Sequence, residues 1–283
     1  MRVTVGDKKL YFDVEGEKLC HNGDSLVEKP TLILLHGSPG NSDHTVFKPL
    51  FSQLTDVAQI VYLDLSGCGR SDDTSDGVFS LERWADDIVH FCHVVGIDKP
   101  VVLGNSAGGM VAAMYGIRHP DHPGGLILSS TQARLQAERC VAVFERLGGA
   151  EIAEVALRAL KTVGDAASFM EYGARCMAFY NPTPQNRARL ITYREKCAEA
   201  FHLRGGIWYE MDFLDDLHAI SCPTLVLAGE DDPVTPIEDS LDIVDQLCPD
   251  IRQFERFANA GHGVWLDQPE RAFSVLREFL SQF

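Results

Sequence analysis

The sequence predicts an α/β protein with a mostly parallel central sheet, helices on both faces and one long helical insertion. Three observations predict it. Short apolar runs recur along the 283 residues without polar interruption, as expected of strands buried on both faces. Stretches with helical periodicity separate the runs, which is the alternation of a parallel sheet. One segment, residues 132–214, breaks that rhythm with several helical patterns and no buried-strand run.

The elements follow in order. Residues 3–5 and 9–14 read as two short strands around a Gly6-Asp7 turn, an opening hairpin. Thr31–Leu35 is the first continuous apolar run, and it ends in His36-Gly37-Ser38-Pro39-Gly40. Residues 60–63 form the next, ending in Asp64-Leu65-Ser66-Gly67-Cys68-Gly69-Arg70-Ser71. Residues 80–95 have helical periodicity, with Ser80 as N-cap and Gly96 just past the end. The run at 100–103 leads into Gly104-Asn105-Ser106-Ala107-Gly108, and helix formers then continue to His119-Pro120, where proline stops them. Further strands are predicted at 125–128 and 223–227, the latter ending in Gly229-Glu230-Asp231-Asp232. Arg252–Phe257 alternates as a last strand before Ala260-Gly261-His262-Gly263, and Pro269–Leu280 reads as a closing helix. Residues 151–163 are the clearest helix of the insertion. The predicted organisation is a core domain of residues 1–131 and 215–283, interrupted by a helical domain at 132–214.

Composition narrows the function. A net charge of -16 and a pI of about 4.9 argue against nucleic acid or an anionic membrane surface as partner. The insertion is nearly neutral, so the acidity belongs to the core. No apolar run approaches the roughly 20 residues of a membrane span. The first ten residues are charged and alternating rather than leader-like, so a cytoplasmic protein is expected. The eight cysteines are scattered without a Cys-x-x-Cys pair, which points to neither a zinc site nor a disulfide scaffold. We expect a small-molecule substrate, a monomer or homodimer, and no metal or cofactor.

The chemistry is carried by Gly104-x-Ser106-x-Gly108 between a strand and a helix. That turn is tight, so small residues must flank the serine, whose hydroxyl then stands clear at the top of the sheet. A serine nucleophile needs a base and a group that orients the base. Of ten histidines, His262 follows the last strand and lies between two glycines, which leave its ring room to reach across the sheet. The acid is expected at the end of the preceding strand, where Asp232 precedes Pro233; Asp231 is read as solvating or capping that loop. The strand after the serine helix ends in Ser129-Ser130-Thr131 without a carboxylate, which removes the usual alternative place for the acid. Two backbone N–H groups, of Ala107 and Ser38, are expected to form an oxyanion hole. His36 is read as structural, whereas His44 faces either the pocket or solvent. Aromatic residues of the insertion, among them Tyr180 and Trp208, together with Glu210, are candidate substrate contacts.

Taken together, His36-Gly37-x-Pro39-Gly40, Asp64-x-x-Gly67-x-Gly69-x-Ser71, Gly104-x-Ser106-x-Gly108, Gly229-x-x-Asp232 and Gly261-His262 resemble the α/β-hydrolase fold family over nearly the whole chain. The resemblance implies a cofactor-free serine hydrolase with a Ser106–His262–Asp232 triad and a helical cap. The serine sets the chain apart from the haloalkane dehalogenase and epoxide hydrolase branches, which use an aspartate nucleophile. Within the family the first two loops are most similar to those of the proline iminopeptidases. Those enzymes carry tryptophan where this chain has Ala107, and a second glycine where it has Ser38. They read a free amine with cap carboxylates, for which Glu171, Glu210 and Asp212 are the available counterparts. Gly104-Asn105-Ser106-x-Gly108-Gly109 also resembles the meta-cleavage product hydrolases, which cut carbon–carbon bonds with the same triad. Carboxylesterases and lactonases share every landmark, and a slow-turnover ligand receptor on this fold is the alternative from another class.

Overall fold

Among the residues described by the computed structural model, 1–183 and 192–283, the predicted strands join one eight-stranded sheet. β1 (Arg2–Val5) and β2 (Lys8–Glu15) form the opening hairpin. A second hairpin, β3 (Leu19–Asn22) with β4 (Ser25–Glu28), stands apart as its own two-stranded sheet. Sequence reading missed it because β4 is exposed throughout and lacks the apolar face that marks a strand. The other strands are β5 (Thr31–Leu35), β6 (Gln59–Leu63), β7 (Val101–Asn105), β8 (Gly125–Ser129), β9 (Thr224–Gly229) and β10 (Arg252–Phe257).

The order is β1-β2-β6-β5-β7-β8-β9-β10, with β2 antiparallel to β6 and the pairs from β6 onward parallel. From β5 the chain goes first to one neighbour, β6, and then to the other, β7. Strand order reverses there, so the loops leaving the carboxyl ends of β5 and β7 diverge and open a crevice. The predicted oxyanion loop and Ser106 both lie at that point.

Alternation along each strand divides the core. Ile33, Leu35, Val102, Leu126, Leu128 and Val226 pack on one side, together with residues of α1 (Leu81–Val95) and α2 (Ala107–Arg118). Leu32, Leu34, Val101, Leu103, Ile127, Leu225 and Leu227 face the other side, against Phe47, Phe51, Trp265 and α9 (Pro269–Leu280). Each such side chain contributes roughly 1.5–3 kcal/mol by leaving water. The predicted caps of α1 are present: Ser80 accepts the Arg83 N–H at 3.2 Å, and Gly96 ends the helix at φ 73.

Between β8 and β9 the described residues add no strand to the sheet. They form α3 (Ala137–Gly148), α4 (Ala150–Leu157), α5 (Ala166–Cys176), α6 (Glu195–His202) and α7 (Ile207–Glu210). The single helix expected at 151–163 is divided. The α-helix stops at Leu157 and a wider π turn runs to Thr162, because the Val163 and Gly164 N–H groups both bond back to the Arg158 carbonyl. After β9 comes α8 (Ile237–Gln246). No helix among the described residues is long and apolar enough to cross a membrane.

Candidate active site

Ser106 occupies the turn between β7 and α2 with φ 58 and ψ −126, a strained conformation for a residue with a Cβ. The strain is held from several sides. The Ser106 N–H donates to the Ser129 carbonyl at 3.0 Å, and the Thr131 hydroxyl donates to the Ser106 carbonyl at 2.8 Å. The glycines are required by contact. A Cβ at Gly37 would lie 2.7 Å from the Ser106 Cβ, and one at Gly108 would run into the Leu35 and His36 carbonyl oxygens. Gly108→Ala is therefore expected to cost roughly 1–3 kcal/mol, since backbone atoms on both sides must give way. Gly173→Ala, in the open middle of α5, is expected to stabilise by roughly 0.5–1 kcal/mol. Urea midpoints of the two variants check this, and equal midpoints would refute it.

The loop after β5 lies against the serine. Ser38 adopts φ 45, and Asn41 closes the turn by donating to the Ser38 carbonyl at 2.9 Å. Among the described residues, neither the Ser38 nor the Ala107 backbone N–H has a hydrogen-bond partner. The Ser38 hydroxyl lies 3.3 Å from His202 Nε2 at the end of α6, and burial pushes that imidazole down to about 4, so it is neutral at physiological pH. His36 is buried, with Nδ1 2.9 Å from the Gly37 carbonyl and Nε2 accepting the Leu65 N–H at 3.4 Å, which is the structural role expected of it. His44 is buried against Asp64, with Nδ1 2.8 Å from Oδ1, and so turns from solvent.

The acid and base loops come together. Asp232 is buried at the end of β9, and His262 Nδ1 lies 2.9 Å from its Oδ2. Asp232 Oδ1 accepts the N–H groups of Val234 and Thr235 at 2.9 and 3.0 Å, and Oδ2 accepts the Thr235 hydroxyl at 2.9 Å. Asp231, expected to be solvated or to cap the loop, instead pairs with Arg146 at 2.6 Å. The next residue after the histidine, Gly263, donates to the Ser130 hydroxyl at 2.9 Å, and Ser130 adopts φ 46 to receive it. Residues 129–131 therefore hold both the serine turn and the histidine loop. Sequence reading used them only for lacking a carboxylate; the available signal was a polar triplet closing an apolar strand.

Behind Asp232, burial pushes the Asp239 carboxyl up to about 7, against the pull of Arg139, whose Nη1 donates to it at 2.7 Å. With its amide oriented to satisfy both neighbours, Gln132 donates to Asp239 at 3.0 Å and accepts from the Trp208 indole. Trp208, expected to contact substrate, is buried and stacks against Phe201 of α6 at 6.4 Å, and Phe201 in turn meets Trp84 of α1 at 6.3 Å. Tyr180 lies edge-on to His262 at 5.5 Å, and its carbonyl accepts the His262 N–H at 2.7 Å. Glu210 is exposed at the end of α7. Glu171 pairs with Arg158 and Arg175 of the insertion.

A strained serine at the switch point, free N–H groups beside it and a paired histidine and aspartate define a class. The chain belongs to the α/β-hydrolase fold family, which it matches over residues 30–269. It is similar to the proline iminopeptidase of Lactobacillus delbrueckii subsp. lactis, with 27% identity over 98% of this chain and 99% of that relative. Its fold is similar to that of the proline iminopeptidase of Mycobacterium smegmatis, with TM-score 0.74, 22% identity and coverage of 100% and 97%. It is also similar to a thermophilic esterase from Thermogutta terrifontis, with TM-score 0.68, 29% identity and coverage of 100% and 98%. The chain is accordingly a hydrolase of this fold, resembling the proline iminopeptidases.

Proposed function

We propose that this chain is a cofactor-free serine hydrolase that cleaves small ester or amide substrates through an acyl-enzyme, in the manner of the proline iminopeptidases. The observation that carries the reading is that residues 129–131 hold both the strained Ser106 turn and the loop of His262, whose ring pairs with Asp232 at 2.9 Å. Ser106 Oγ attacks the acyl carbon, and His262 takes its proton and returns it to the leaving group. Asp232 holds the Nδ1–H tautomer and stabilises the imidazolium. The Ser38 and Ala107 N–H groups receive the oxyanion, and water then releases the acyl group.

In this reading the insertion 132–214 is a cap over the core 1–131 and 215–283, and the substrate lies between them. Tyr180, against the base, is the best supported of the proposed substrate contacts. Trp208 packs inside the cap against Phe201, and Glu210 is the carboxylate available for a substrate amine.

A second reading, carboxylesterase or lactonase, is favoured by the cap carboxylates. Glu171 is neutralised by two arginines, and Glu210 and Asp212 are exposed, so a buried anionic pocket for an amine finds little support. One assay separates the two. Turnover is measured on a short-chain nitrophenyl ester and on prolyl and alanyl anilides with free or blocked amines. Cleavage confined to free-amine anilides is the expected result for the peptidase, and Glu210→Gln should then raise KM. Ester cleavage with inert anilides replaces that reading with the esterase. A chain inert towards all of them points to carbon–carbon bond substrates.

A further inference from the structure

Two sulfurs from distant parts of the chain meet in this fold. Cys68, in the loop after β6, and Cys197, in α6 of the insertion, place their Sγ atoms 3.7 Å apart although they are 129 positions apart in the chain. Both are buried. Buried free thiols ordinarily pack as small apolar groups. This pair differs in its position, because it lies where the insertion meets the oxyanion loop. The Gly40 N–H points at Cys68 Sγ at 3.4 Å, the Arg194 N–H donates to the Gly40 carbonyl at 2.8 Å, and Gly40 packs directly on the Ala198 backbone. The Ser38 hydroxyl meets His202 at the far end of the same helix. One face of α6 therefore lies along residues 38–40.

Cys197 lies nearer the surface than Cys68, although only 1% of it is exposed. Cys197 borders a surface groove with Asp73, Tyr193, Arg194, Glu195 and Lys196. Cys68 is enclosed beside His36, and burial with the neighbouring Cys197 keeps its thiol well above the usual range. In the order of reaction proposed, a local opening beside the groove lets Cys197 meet the oxidant first, and Cys68 resolves.

We propose that Cys68 and Cys197 are a peroxide-sensitive thiol pair whose disulfide ties the insertion to the loop after β6, directly beside the oxyanion loop. Hydrogen peroxide or another hydroperoxide is the oxidant. The Cys197 thiolate attacks a peroxide oxygen, so an S–O bond forms, the O–O bond breaks, and the departing hydroxide takes up a proton as water. The Cys68 sulfur then attacks the sulfenic sulfur. The S–S bond forms, the S–O bond breaks, and a second water leaves with the Cys68 proton. The thiols lose two electrons and the peroxide gains them. The sulfurs need to approach by only about 1.7 Å to reach a bonding separation of about 2.05 Å.

The experiment uses the full chain carrying Cys20→Ser and Cys248→Ser, which removes the two cysteines outside the buried set. The protein is treated with hydrogen peroxide, capped with N-ethylmaleimide and mapped without reduction. The expected result is one cross-linked peptide pair joining Cys68 to Cys197, two hydrogens lighter and released by dithiothreitol. The melting temperature of the oxidised form should rise by roughly 5 °C. Turnover, which rests on the hydrolase reading, should fall several-fold and recover on reduction, because a pinned lid slows substrate entry and product release. Cys197→Ser should start with unchanged turnover and not respond to peroxide. Full maleimide labelling of both cysteines after oxidation overturns the proposal, and so does a cross-linked protein with unaltered turnover. A chain that cross-links and gains stability but turns over no substrate in either redox state supports the thiol pair and sinks the hydrolase reading alone.

Discussion

Replacing Ser106 with alanine is expected to lower kcat/KM by at least about a thousandfold, since a nucleophile and its base act as a unit and little survives the loss of either. The fold should be unaffected. Alanine keeps the Cβ that already tolerates φ 58, and the bonds that hold the turn run through the Ser106 backbone to Ser129 and Thr131. An unchanged melting curve beside lost turnover, with loss of labelling by a fluorophosphonate probe, is the predicted combination. Near wild-type turnover would falsify the assignment of Ser106 as nucleophile.

Asp232→Asn should cost roughly 10³–10⁴ in kcat, and the hydrogen bonds around the carboxylate explain why. Oδ1 already accepts two backbone N–H groups, from Val234 and Thr235. An asparagine must leave its oxygen there, which puts its NH₂ at the place of Oδ2, facing His262 Nδ1. The amide then donates to Nδ1 and the ring proton moves to Nε2, where it cannot receive the serine proton. Because three of the four partners are retained, stability should change little. A variant that keeps more than about a tenth of wild-type kcat would mean that this pair does not orient the base.

The sequence made the sheet legible because β5, β7, β8 and β9 are buried on both faces and so carry unbroken apolar runs. Arg252–Phe257 and Pro269–Leu280 coincide with β10 and α9 because alternation at the sheet edge and a proline start are strong local signals. The β3–β4 hairpin left no trace, because β4 is exposed along its whole length and has no buried face to demand apolar residues. The candidate site was legible for steric reasons: Gly104 and Gly108 are forced by backbone contact and Gly37 by the Ser106 Cβ, which showed where to look for the serine and its loop. What stayed hidden depends on pairing between distant segments. The Asp231–Arg146 ion pair, the hold of Ser130 on Gly263 and the meeting of Cys68 with Cys197 join residues whose sequence neighbours say nothing of one another.

The place of the insertion in the chain also bears on synthesis. β8 is made before the insertion, and its partner β9 only after it. While the ribosome works through those helices, the edge of β8 has open N–H and C=O groups and no strand to receive them. An unpaired apolar edge recruits other chains. Helices α3 to α6, emerging at that moment, are the material at hand to shield it. That segment would then serve as a guard for the nascent sheet, and a chain released before β9 would lack both Asp232 and His262.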